Sequence, residues 1–164
     1  VVVRCASHVG LHERMVDVLK DRVVSQVGEL VEKNRRETAV LLMGRGSSDP
    51  EANGDCVKLG RLLWERTRLS IVEVCFIGIT QPSLPEGLDR CVRLGARHII
   101  VIPYLLVPGV LHERVAGFLK RFRAAHPGIE AHETPEIGLD ERLVRVVAER
   151  IAEAEGSFAH GVAV

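Results

Sequence analysis

Three observations predict an α/β chain built on a parallel four-stranded sheet with helices on both faces. From residue 38 onward, short apolar runs alternate with longer segments of helical spacing. The strongest run, residues 39–43 (AVLLM), is apolar along its whole length, as a strand covered on both faces requires. It leads into Gly44-Arg45-Gly46-Ser47-Ser48 and then a helix, the strand–turn–helix step of a parallel sheet.

In chain order, residues 1–3 read as a short strand and residues 11 to about 30 as a helix. Leu11, Met15, Val16, Val18, Leu19 and Val23 fall at helical spacing there. Residues 32–37 (EKNRRE) form a charged, solvated connector. After the 39–43 strand, Asp49 is an N-cap, Pro50 suits the first helical position, and Glu51 favours the positive end of the helix dipole. That helix runs to about residue 67 with Val57, Leu59, Leu62, Leu63 and Trp64 on its apolar face. Residues 71–77 are the second strand. Residues 80–85 form a loop in which Ser83 caps a helix that reaches Leu94 and is ended by Gly95. The third strand, residues 98–104 (HIIVIPY), is followed by a loop over 105–110. A helix from about 111 to 125 then carries Leu111, Val115, Phe118, Leu119 and Phe122 as one stripe. His126-Pro127-Gly128 stops it, residues 129–132 form a fourth strand, and residues 139–154 the last helix. The stretch 157–164 reads as a flexible tail.

Composition narrows the function classes. In 164 residues, 22 Lys and Arg balance 22 Asp and Glu, which leaves no global field for nucleic acid or a membrane surface. Aromatics at 4% speak against a base-stacking platform. No apolar run approaches the ~20 residues that span a bilayer. The four cysteines, Cys5, Cys56, Cys75 and Cys91, are far apart with no CxxC pair. They read as reduced, buried thiols of a cytoplasmic protein.

The glycine turn at 44–48 is where ligand chemistry is expected. Gly44 and Gly46 permit a sharp turn, so the Ser47 and Ser48 amides can point into open space at a helix N-terminus, a ready anion site. The alternative, simple capping of a strand-to-helix connection, is equally open at this stage.

An internal repeat sets the domain reading. Shifted by 128 positions, Gly10, Leu11, Glu13, Arg14, Val16, Val18 and Arg22 meet identical residues at Gly138, Leu139, Glu141, Arg142, Val144, Val146 and Arg150. Residues 1–35 therefore read as the closing strand and helix of a preceding lobe, and residues 36–156 as one complete lobe. The helix at 11–30 is expected to pack against another lobe or chain. His8 and His12 recur as Glu136 and Asp140, which makes them helix-entry residues rather than ligands.

The order of motifs resembles one family, the CbiX-type sirohydrochlorin chelatases, class II chelatases that insert cobalt or ferrous iron into sirohydrochlorin. The matching pieces are GRGSSDPEAN (44–53), VEVCFIGITQPSLPEGLDRCVRLGARHIIVIPYLL (72–106), PGVLHERV (108–115) and HPGIEAHETPEIGLDERL (126–143). The resemblance implies a three-layer, flavodoxin-like lobe and a lyase. Its substrates are a tetrapyrrole and a divalent metal (cobalt or ferrous iron), with no organic cofactor. It also implies a partner in the form of a preceding homologous lobe or second subunit.

The family typically carries a His in the first loop, a Glu after the second strand and a His in a GxH after the third. Here those positions hold Arg45, Gly78 and Leu111, with His112 one step beyond. His112 is thus the remaining candidate for the catalytic and metal-ligating role. Arg45 instead suits a carboxylate on the rim of the tetrapyrrole. Arg45, Ser47, Ser48, Thr80 and Gln81 are the candidate substrate-binding residues, and all are expected to line one cleft with His112. Two other functions stand beside the chelatase: a non-catalytic tetrapyrrole-binding or dimerisation lobe, and an unrelated phosphate binder using GRGSSD. The last lacks both a P-loop lysine and a GxGxxG.

Overall fold

The computed structural model describes residues 3–107 and 109–156, with the side chains of 26–34 outside that description. The elements run α1 (Glu13–Asn34), β1 (Thr38–Gly44), α2 (Pro50–Thr67), β2 (Ile71–Phe76), α3 (Leu84–Arg93), β3 (His98–Pro103), α4 (Val110–Ala125), β4 (Glu130–Glu133) and α5 (Glu141–Gly156). The strands form one sheet in the order β2-β1-β3-β4, every pairing parallel. β1 lies inside it and is buried at all seven positions, which is why its sequence has no polar alternation.

Side chains alternate across the sheet and sort the helices into layers. Ala39, Leu41 and Met43 of β1 and Ile99 and Val101 of β3 pack with Leu84 and Leu88 of α3 and Val115 and Leu119 of α4. Val40, Leu42, Ile100 and Ile102 face the other way, against Leu59 and Leu63 of α2. Helices therefore cover both faces, as the sequence predicts.

Two helix positions differ from the sequence reading. Val57 lies off the buried stripe of α2 and is exposed. More consequentially, α1 does not pack away from the lobe. Val16, Leu19 and Val23 insert against Val40, Leu42, Ile100 and Ile102, beside α2. The sheet offers α1 an apolar face that α2 alone does not fill, and burying it outweighs any separation at residue 35. Its other side, Met15 and Val18, meets Leu143 and Val146 of α5.

The N-terminal strand does not form over the residues described: Val3 and Arg4 carry no strand pairing and Val3 is exposed, while Val1 and Val2 lie outside the described residues, as does the tail 157–164. Cys75 and Cys91 are buried as expected, Cys56 is half-buried, and Cys5 is exposed. No described helix is long and apolar enough to cross a membrane.

The entry to α5 carries a pH-dependent contribution. Asp140 Oδ1 accepts from Arg142 N and Nε at 2.9 Å, and Oδ2 accepts from Arg142 Nη2 at 2.8 Å. The Arg142 bonds lower the Asp140 pKa to about 2. A depressed carboxylate stabilises the fold above its unfolded pKa and loses that contribution as pH falls through the folded value. Asp140→Asn is therefore expected to cost about 1 kcal/mol near neutrality, allowing for solvent screening. The gap from the parent should close between pH 4 and pH 2, as read by urea midpoints; a gap constant over that window would contradict the assignment.

Candidate functional site

A cleft of about 850 Å³ opens at the carboxyl ends of β1, β2 and β3, where parallel sheets bind ligands. It exists because two loops are stitched edge to edge. Ile77 N donates to Gly44 O at 3.0 Å, and Gly78 N donates to Arg45 O at 2.8 Å. Only glycine fits at 78, since a Cβ there would lie 2.4 Å from Arg45 O. Gly46 turns the chain with φ +85, a conformation L side chains rarely adopt.

The turn is then locked by a residue that sequence reasoning missed. Ser47 N donates to Asn53 Oδ1 at 2.9 Å, and Asn53 Nδ2 donates back to Ser47 O at 2.8 Å. Thr80 Oγ1 donates to the same carbonyl at 2.7 Å. Asn is a poor helix former, so its place in the first turns of α2 was the available signal. The expectation that Ser47 offers its amide to a ligand is thereby corrected: Asn53 occupies it. The helix end is partly spoken for as well, because Glu51 N donates to Asp49 Oδ1 at 3.0 Å.

The cleft has an apolar floor and a charged rim. Cys56, Leu59, Phe76, Tyr104 and Leu111 form the floor. Burial pushes the Cys56 thiol up to about 11, so it is neutral and a poor metal ligand or nucleophile at neutral pH. Burial likewise raises Tyr104, whose hydroxyl donates to Gly10 O. On the rim, Arg45 stands with Asp49, Glu51 and Asp55, and His8 Nε2 sits 3.2 Å from Asp55 Oδ2. Three carboxylates and one guanidinium share the lining. The rim is mixed in sign rather than simply positive.

Of the candidate residues, Arg45, Ser47 and Ser48 line this cleft, with Thr80 bracing the loop behind Ser47. Gln81 lines a separate groove beside β2 and α2, and His112 is not part of the cleft lining. The expectation of one shared cleft fails for Gln81 and His112, and Thr80 supports the loop without lining the cleft. His112 faces the other way: its Nδ1 lies 3.3 Å from Glu133 Oε1 and 3.0 Å from Glu136 Oε1, both carboxylates nearly buried. Burial raises the Glu133 pKa; His112 opposes that shift and Glu136 adds to it. Among the described residues, no group of three or more His, Cys, Asp and Glu is placed to hold a metal ion.

Comparison with known proteins assigns this geometry to a family. The CbiX family model matches residues 39–154. The chain belongs to the CbiX family. It is 40% identical over 145 residues to the sirohydrochlorin cobaltochelatase of Priestia megaterium, a match covering 88% of this chain and 47% of that relative. The sirohydrochlorin ferrochelatase of the same organism is 34% identical over 106 residues, covering 65% of this chain and 38% of the relative. The chain thus spans about half the length of the curated relatives it matches. Among solved structures, SirB from Bacillus subtilis with Fe3+ superimposes with a TM-score of 0.79 at 23% identity, over 96% of this chain and 60% of that one. At that identity the likeness carries the fold. The matched span of this CbiX chain includes the strand-to-helix turn at 44–53, where Arg45 stands between Gly44 and Gly46.

Proposed function

We propose that residues 36–156 are the C-terminal lobe of a cytoplasmic sirohydrochlorin chelatase, with residues 1–35 the closing segment of a preceding lobe in chain order, whose helix α1 lies on this lobe's sheet. In this reading the cleft at 44–56 holds one edge of the tetrapyrrole. The observation that carries it is the pairing of an apolar floor (Leu59, Phe76, Tyr104, Leu111) with Arg45 at the rim. A flat macrocycle with carboxylates around its edge needs those two surfaces: an apolar wall for the ring and a guanidinium for a carboxylate. Arg45 supplies the bidentate donor, and Ser48, also on the rim, adds a hydroxyl. Cobalt or ferrous iron enters as substrate, and no organic cofactor is needed.

A second reading, that this lobe binds the tetrapyrrole without handling metal itself, rests on a specific observation. His112 is engaged with Glu133 and Glu136, and Arg45, Gly78 and Leu111 stand where the resemblance implies His, Glu and His. Both readings share the tetrapyrrole site and part at the metal.

Titrating sirohydrochlorin into the protein and following its absorbance tests the shared site. Arg45→Ala is expected to weaken binding about threefold to tenfold, the scale of a partly exposed charged pair. His112→Ala should leave that affinity within a factor of two. Equal binding by the parent and Arg45→Ala would remove the proposed site. For the metal, stoichiometric cobalt binding that disappears in His112→Ala would overturn the second reading and give His112 the ligand role.

A further inference from the structure

β2 closes one side of the sheet, and part of its outer edge is open. Phe76 N donates to Pro82 O at 2.8 Å, away from β1, while Ile77 N donates to Gly44 O at the end of β1. Backbone groups alternate sides along a strand, so Val72 and Val74 turn their N–H and C=O outward as Phe76 does. Among the described residues no strand pairs with that side. Ser83 bridges to Phe76 at one end of the edge, and Arg68, with φ 53, turns the chain at the other. The open stretch is 70–74. Its sequence does little to guard it: β2 (IVEVCF) carries no proline, lysine or glycine, and its register with β1 runs without a bulge.

Two helices raise apolar lips beside this edge. α2 comes close because Gly60 has no side chain; a Cβ there would lie 2.5 Å from Val74 Cγ2. Val57 and Trp64, on either side of Gly60, line a groove of about 530 Å³ with β2, and Val57 is 54% exposed. On the opposite face Leu94, just past α3, is also exposed. The charges along the groove balance in sign. Arg61 pairs with Glu65, and Glu73 lies 4.0 Å from Arg90.

We propose that the 70–74 edge is the docking surface for a second copy of this chain, paired antiparallel about a two-fold axis at Val72. Three centres are open to such pairing, and two fail. An axis at Glu73 sets two like carboxylates directly opposite each other. An axis at Val74 needs the Phe76 N–H, which Pro82 already holds. The axis at Val72 sets Val72 against its own image, Val74 against Ser70, and Glu73 against Ile71. It uses the open stretch of both copies in full, as a self-complementary interface requires. The two-fold also brings Val57 of one copy toward Trp64 of the other, and each copy contributes as many guanidiniums as carboxylates. The inference is independent of the metal and tetrapyrrole readings.

Light scattering on the 164-residue chain, from about 1 to 100 µM, should show a mass rising to twice that of the monomer. Val72→Pro removes an outward donor, and Val57→Glu puts a carboxylate on an apolar lip; each should raise the dimer dissociation constant at least about tenfold. Val57 is exposed in the monomer, so that variant keeps its fold even where the proline does not. Register is read by oxidation in a Cys5→Ser background, which removes the exposed native thiol. Val72→Cys should crosslink to its own image, since paired Cα atoms roughly 5.5 Å apart are within disulfide reach. Glu73→Cys should not. A monomer up to about 100 µM, a dimer that survives Val57→Glu and so is held by another face, or crosslinking at 73 in place of 72 each overturns the proposal.

Discussion

Placing glutamate at position 78 is expected to break the cleft rather than restore a metal ligand. The resemblance implies a carboxylate just after the second strand, where this chain has Gly78. Yet Gly78 N donates to Arg45 O at 2.8 Å, and a Cβ on residue 78 would lie 2.4 Å from that same oxygen. The obstructing atom is backbone, so no side chain can swing aside. Relief requires the β1 loop to move, and that loop is held from behind by Asn53 and Thr80 through Ser47. Both Gly78→Ala and Gly78→Glu should therefore cost on the order of 2–4 kcal/mol, from the lost stitch and the shifted turn. Urea denaturation would read this as a lowered midpoint at unchanged slope. Sirohydrochlorin binding should weaken alongside, because Arg45 moves with its own carbonyl. A Gly78→Glu protein of parent stability that gains stoichiometric cobalt binding would show that the loops can part, and that this lobe lies one residue from metal chemistry.

What the sequence made legible follows the range of the interactions involved. β1 was readable because an all-apolar run of this length has few other homes, and α2 because Asp49 and Pro50 announce its start within three residues. That helices cover both faces followed from the fully apolar strands, while which helix takes which face became clear only from the packing. The site was harder, since its geometry is written by residues distant in sequence. Asn53 takes the Ser47 amide across six positions, and Thr80 reaches the same loop across thirty-three. His112 turns toward Glu133 and Glu136, more than twenty residues downstream, and no local pattern marks that triad. The mixed rim arises the same way: Asp55 lies on the second turn of α2, where helical spacing brings it to the cleft beside Asp49 and Glu51. The repeat was visible as identity, but identity alone does not say which sheet a helix covers.

That last distinction yields the largest stability effect expected in the chain. Leu19 and Val147 occupy the same place in the two copies of the repeat, and their side chains have different surroundings. Leu19 is fully buried among Val40, Leu42, Ile100, Ile102 and Leu63, where sheet, α1 and α2 meet. Removing its side chain beyond Cβ leaves a cavity walled on one side by a strand pair that cannot collapse into it. Leu19→Ala is expected to cost about 3–4 kcal/mol, within the range for buried leucines. Val147, 39% exposed on α5, should lose only about 0.5 kcal/mol on truncation in the 164-residue chain. Equilibrium urea unfolding of both variants compares them directly. A single transition shifted strongly by Leu19→Ala and barely by Val147→Ala would mean that α1 folds with this sheet as one cooperative unit. Were Leu19→Ala instead to leave the midpoint of the sheet unchanged while α1 lost protection in hydrogen exchange, α1 would be a separable arm, and the boundary near residue 35 would be a physical one.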